Sequence, residues 1–252
     1  MLGEFTQEDL ASALDAAASS LLLSSGYQAG AVDCLRLAQS LGLTVVWDDS
    51  QAGRARFVRL HHVATSAPRG SILLKPDPRR EWLQWAVAHE IGEHQAHVVF
   101  SRLGVDACEA PAGIREKVAN WLAGRVLLPS DTFLAAATEC DWDLPSLKRE
   151  FSTASHELIA RRMLDFEPPV VITLLDHGQV TFRRGNLPGR TPPLLPIERR
   201  CQMQAHATSQ CAQGDDGHLR VSAWPIHEPD WKREILRSAW PDEFIDAPEA
   251  IE

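Results

Sequence analysis

Paired cysteines are the first thing missing from this chain. Its five cysteines (Cys34, Cys108, Cys140, Cys201 and Cys211) are odd in number, widely scattered and without a C-x-x-C pair. That excludes a disulfide framework and a cysteine-based zinc site. No apolar run reaches membrane-spanning length; Leu21-Leu22-Leu23 is too short and closes an amphipathic segment. The stretch from Met1 to Asp9 lacks the basic-then-apolar layout of a secretion signal. These absences predict a reducing, cytoplasmic location and no membrane partner. An excess of positive charge is missing too: 34 acidic residues against 25 basic ones leave a formal net charge of −9. Binding to a phosphate backbone relies on a positive patch, so no direct nucleic-acid partner is expected. The clusters Lys148, Arg149, Arg161, Arg162 and Arg183, Arg184, Arg199, Arg200 are read as solvated charge.

What is present is an ordinary globular balance, 44% hydrophobic and 23% charged residues in 252. That suffices for one large domain or one domain with an appendage. Thr6-Gln7-Glu8-Asp9 has the form of a capping box opening a helix to about Leu23, and a second helix is expected over about Ala31 to Leu41. Three β-rich runs follow, Leu43–Trp47, Ala55–Leu60 and Ser71–Lys75. Asp77-Pro78 predicts the start of a long helix reaching about Leu103 and stopped by Gly104. Pro111 opens another, which ends at Leu127-Leu128-Pro129. Three shorter helices, with Ser130, Asp143 and Ser152 or Ser155 as caps, are expected to end near Leu164. Val170–Leu175 and Val180–Arg184, joined by Asp176-His177-Gly178, predict a β-hairpin. Beyond the proline-rich Leu187–Pro196 the sequence suggests polar loops, a strand over Leu219–Trp224 and a helix over Asp230–Trp240. The element order predicts an α+β fold, with helices on one side of a small sheet. Two domains are expected, 1–167 and 168–252, with the boundary near Glu167-Pro168-Pro169.

The chemistry is concentrated in Ala88-His89-Glu90-Ile91-Gly92-Glu93-His94. In zincin logic, two histidines on one helical face bind the metal and the glutamate between them activates water. A catalytic zinc needs a third protein ligand and an open position, and Glu116 on the next helix offers that ligand. The second histidine stands one residue late. At about 100° per residue, Glu93 lies roughly 40° around the helix from His89 and His94 roughly 140°. Either a one-residue bulge, eased by Gly92, swings His94 into line, or the helix stays regular and Glu93 is the ligand. Zinc's preference for imidazole favours His94; two carboxylates would suit a harder metal. Asn120, one turn after Glu116, is placed to orient it. His97 is read as a surface histidine, and His61, His62 and His156 as bystanders.

Ala88-His89-Glu90-Ile91-Gly92, Glu116-x-x-Ala119-Asn120 and Leu127-Leu128-Pro129, in this order, resemble the ImmA/IrrE family of metallopeptidases. The short helices between Asp143 and Leu164 are similar to the segment that follows the family's site. The resemblance implies a zincin-like domain carrying Zn²⁺ on His89, His94 and Glu116, with Glu90 as the general base of an endopeptidase. It also implies a protein substrate, typically a helix-turn-helix repressor of stress-response or mobile-element genes. The displaced histidine supports a rival reading, a non-catalytic regulatory or protein-binding module on the same scaffold. A third, a DNA-binding helix-turn-helix over Asp143–Leu164, is disfavoured by the net acidity.

Overall fold

A computed structural model describes residues 5–27, 29–60, 69–166, 168–187 and 189–240. His61 and His62 lie outside them. The described residues form eight α-helices and two sheets, a mixed α+β architecture. They divide into two units, Met1–Ser155 and His156–Glu252, a boundary earlier than the Glu167-Pro168-Pro169 expected from sequence.

In the first unit, capping chemistry sets the helix starts. Helix α1 (Gln7–Ser24) opens on the reciprocal box of Thr6 and Asp9, each accepting the other's backbone N–H. Asp33 caps α2 (Cys34–Ser40) through the Leu35 and Arg36 amides. Strands β1 (Thr44–Trp47), β2 (Ala55–Leu60) and β3 (Arg69–Leu74) form a sheet in the order β1-β3-β2. β1 runs parallel to β3 and β2 antiparallel to it, so β2 is an edge. The long helix α3 (Arg80–Arg102) begins later than Asp77 suggested. The Asp77 carboxylate is taken by the Arg79 N–H at 2.8 Å and by the Arg79 guanidinium, so the chain turns before it coils. Helix α4 (Ala112–Leu127) follows Pro111, then α5 (Ser130–Glu139) and α6 (Leu144–Glu150), the last capped by Asp143.

The core of this unit lies between α3 and α4. Val87, Ala88, Ile91 and Val99 of α3 are inaccessible or nearly so, as are Val118, Ala119, Leu122 and Val126 of α4. Gly92 decides how close the two helices come. A Cβ there would lie 2.5 Å from the Ala119 carbonyl oxygen, so only glycine permits this approach.

The second unit opens with α7 (His156–Arg162) and then builds strands β4 (Val170–Asp176), β5 (Gln179–Gly185), β6 (Ala212–Asp215), β7 (Arg220–Glu228) and β8 (Trp231–Ala239). Helix α8 (Pro196–Thr208) lies between β5 and β6 in sequence. The sheet is antiparallel throughout, in the order β5-β4-β8-β7-β6. The expected β4–β5 hairpin is present, turning at His177 and Gly178, both at positive φ (50° and 76°). Two expectations for this region are corrected. Pro196–Thr208 is a helix, not loop, and Asp230–Trp240 supplies a strand, not a helix. Trp231-Lys-Arg-Glu-Ile-Leu-Arg favours neither state strongly by composition. Pairing decides it: the tight turn at Asp230 (φ 61°) returns the chain against β7, and β4 pairs along the other edge.

Candidate metal centre

α3 remains α-helical from Arg80 to Arg102. The bulge that would have turned His94 onto the face of His89 does not form. Helical geometry therefore sets Glu93 beside His89. Donor atoms of His89, Glu93 and Glu116 all lie within 4.8 Å of one another. His94 is not part of that group; its ring stacks on Phe57 of β2, centroids 5.1 Å apart and 27° between planes.

The three donors come from two helices, and Asn120 ties His89 to Glu116. Its Oδ1 meets His89 Nδ1 at 3.2 Å while its Nδ2 donates to the Glu116 carboxylate, also at 3.2 Å, and to the Glu116 backbone oxygen. An amide oxygen can only accept, so His89 donates from Nδ1, and its Nε2 faces Glu116, 3.6 Å away. The sequence assigned Asn120 to Glu116 alone; the structure gives it both.

Glu90 is buried beside this cluster, 6% exposed. Its Oε2 accepts the Phe57 N–H at 2.6 Å. Burial pushes its carboxyl above the ordinary range, with the Phe57 N–H pulling the other way and the Glu93 charge adding to the rise. The Lys75 N–H donates to the Arg54 carbonyl, so even-numbered β2 positions face β3 and Phe57 turns its amide to the free edge. Phe57 escaped the sequence analysis because a backbone N–H leaves no mark of residue type. His97 sits exposed, its Nδ1 at 2.9 Å from the His94 carbonyl oxygen. His156 begins α7 in the second unit.

One imidazole and two carboxylates suit a divalent cation: three protein ligands leave a coordination position open, and two negative charges balance the ion. The regular helix groups Glu93 with His89 and Glu116, as in the second of the two arrangements the sequence left open.

Comparison with known proteins agrees with the three motifs. Residues 38–164 match the IrrE N-terminal-like domain of the M78 peptidases. The chain is 29% identical over 163 residues to the HTH-type transcriptional regulator PrpR of Mycobacterium tuberculosis strain H37Rv. That match takes in 62% of this chain but 32% of the regulator, so the chain spans about a third of that relative's length. A solved Mycobacterium tuberculosis transcriptional regulator shares the fold, with a TM-score of 0.63, 19% identity, and coverage of 90% of this chain and 75% of the other. Among the described residues no helix is long and apolar enough to cross a membrane.

Proposed function

The chain belongs to the IrrE N-terminal-like family of M78 peptidases, and from that premise we propose that it is a zinc-dependent endopeptidase acting on an extended segment of a protein. The observation that carries this reading is the convergence of His89, Glu93 and Glu116 next to the buried carboxyl of Glu90.

In this reading His89, Glu93 and Glu116 hold the ion, with Glu93 taking the place that His94 has in the bulged alternative. A divalent cation there would polarise the scissile carbonyl and lower the proton affinity of the attacking water. Asn120 keeps His89 Nε2 free to bind and restrains Glu116. The Phe57 N–H fixes Glu90 Oε2, which leaves Oε1 to take the proton from water and return it to the leaving amine. Burial favours the protonated carboxyl at the moment it must hold that proton. The β2 edge is suited to an added strand, offering the Phe57 carbonyl and the outward groups of Ala55 and Arg59.

The natural test is Glu90→Gln, which keeps the shape and removes the base. Loss of peptide hydrolysis by about 10²–10⁴-fold, with bound zinc unchanged, is the expected result; full hydrolysis by the variant refutes the assignment. Metal content separates the ligand sets: Glu93→Ala should lose the zinc held at this centre and His94→Ala should keep it.

A second reading has its own support. Two carboxylates weaken the pull of the ion on water, and the matched relative is named as a transcriptional regulator. On that reading the domain is a metal-dependent regulatory module that cleaves nothing. The relative's name also favours a helix-turn-helix regulator as the protein substrate or partner. Zinc bound at this centre, with Glu90→Gln indistinguishable from wild type in every regulatory readout, would select the second reading.

A further inference from the structure

Helix α8 buries two parallel stripes against its sheet. Ile197, Cys201 and Ala205 form the apolar one, packed on Val221, Ala223 and Leu236. Glu198, Gln202 and His206, spaced four apart, form a polar one beside it. The two ends of the polar stripe are balanced differently. Glu198 is inaccessible and meets a guanidinium, Arg183, at 3.0 and 2.9 Å. Glu234 on β8 is equally inaccessible, yet among the described residues no lysine or arginine pairs with it. Two imidazole nitrogens meet on one of its oxygens instead: His206 Nδ1 at 2.8 Å and His227 Nε2 at 2.7 Å from Oε1.

We propose that His206, His227 and Glu234 form a second metal site, for a divalent transition ion of the zinc class. Two imidazoles and one carboxylate are a donor set that zinc takes with a coordination position to spare. Their ligand atoms lie within 4.8 Å of one another. Bonds of about 2.0–2.2 Å to a tetrahedral ion separate ligand atoms by about 3.3–3.6 Å, so the present contacts need open by less than about 1 Å, within side-chain rotation.

The surroundings are those of ligands already oriented. The far nitrogen of His227, Nδ1, meets the Ser209 hydroxyl at 3.0 Å, and Gln202 Nε2 donates to Glu234 Oε2 at 3.3 Å. Ser209 ends α8 in the left-handed conformation (φ 53°), which turns its hydroxyl toward β7. The three donors stand on a helix and two paired strands. His227 opposes Lys232, so Glu234 is its diagonal neighbour on the same face. The His206 side chain is 37% exposed, which gives an ion a way in. A bound ion would join α8 to the β7–β8 hairpin.

The test uses the full chain carrying His89→Ala and Glu116→Ala, so that two of the first unit's three donors are gone. Titration with Co²⁺, followed by visible d–d absorption, and with Zn²⁺ against a chromophoric chelator should give one equivalent bound. His227→Gln should abolish it, and His206→Gln should weaken it at least tenfold. Glutamine keeps an N–H for Glu234, and circular dichroism checks that each variant is folded; should His227→Gln fail to fold, the part-exposed His206→Gln decides alone. No ion bound in the His89→Ala/Glu116→Ala chain, or binding that survives the histidine substitutions, overturns the proposal and leaves the cluster a hydrogen-bonded strut.

Discussion

Replacing Gly92 by alanine perturbs both the packing of α3 on α4 and the candidate metal centre built across them. The added methyl would lie 2.5 Å from the Ala119 carbonyl oxygen, 3.2 Å from its carbon and 3.3 Å from its Cα. Ordinary contact begins near 3.4 Å, so the helices must part by about 0.9 Å. The obstacle is backbone in the middle of α4, and no rotamer relieves it. Alanine's helix preference favours the variant by about 1 kcal/mol, while overpacking opposes it by about 1–3 kcal/mol. The net loss of stability is therefore about 0–2 kcal/mol. Metal binding should suffer more: His89 lies three residues before Gly92 and Glu116 three before Ala119, and such a donor set tolerates displacements of only about 0.5 Å. Urea denaturation should show the small loss, and zinc competition a drop of about ten- to a hundredfold. Gly113→Ala is the control. Nothing lies within 4 Å of its added Cβ, so it should be neutral or stabilise by up to about 1 kcal/mol. A Gly92→Ala protein that gains stability as Gly113→Ala does, with unchanged zinc affinity, would refute the close approach.

Other perturbations follow from the same contacts. Asn120→Ala should leave the fold standing but lower zinc affinity about ten- to a hundredfold, since it frees the His89 ring and the Glu116 carboxylate together; unchanged affinity by competition titration would count against its bridging role. Glu198→Ala takes the carboxylate from Arg183, the Ser238 hydroxyl and the Leu195 N–H, and should cost about 3–5 kcal/mol in chemical denaturation, where a loss under about 1 kcal/mol would contradict it. Arg233, hydrogen-bonded to Asp176 at 2.6 and 2.8 Å, holds that carboxyl below its ordinary range. The unfolded chain thus protonates first: the pair's contribution is complete above about pH 4 and fades as pH falls toward the folded value. Acid titration of stability should show this loss in wild type and less of it in Asp176→Asn.

Local signals in the sequence held at most places where the physics was local, the Asp77 helix start being the exception. The Thr6–Asp9 box, the Asp143 cap and the β4–β5 turn each depend on atoms within four residues, and each appears where expected. The three motifs likewise pointed to the family before any coordinates, because ligand spacing on a helix is a matter of residue count. Failures came where distant partners decide. Trp231–Ala239 became a strand because β4 and β7 were there to pair with it, and α8 went unnoticed because its buried stripes are half polar.

The sequence by itself determined that a His-Glu helix and a glutamate helix would meet, and that both Glu93 and His94 were available as donors. Only the tertiary structure shows that Glu93 shares a group with His89 and Glu116, their ligand atoms within 4.8 Å of one another. Residue spacing allows a bulge but cannot say whether one forms; α3 runs regularly through Gly92, and the His94 ring stacks on Phe57. Nor could spacing unite His206, His227 and Glu234, which lie on separate elements and meet only when α8 closes on the sheet.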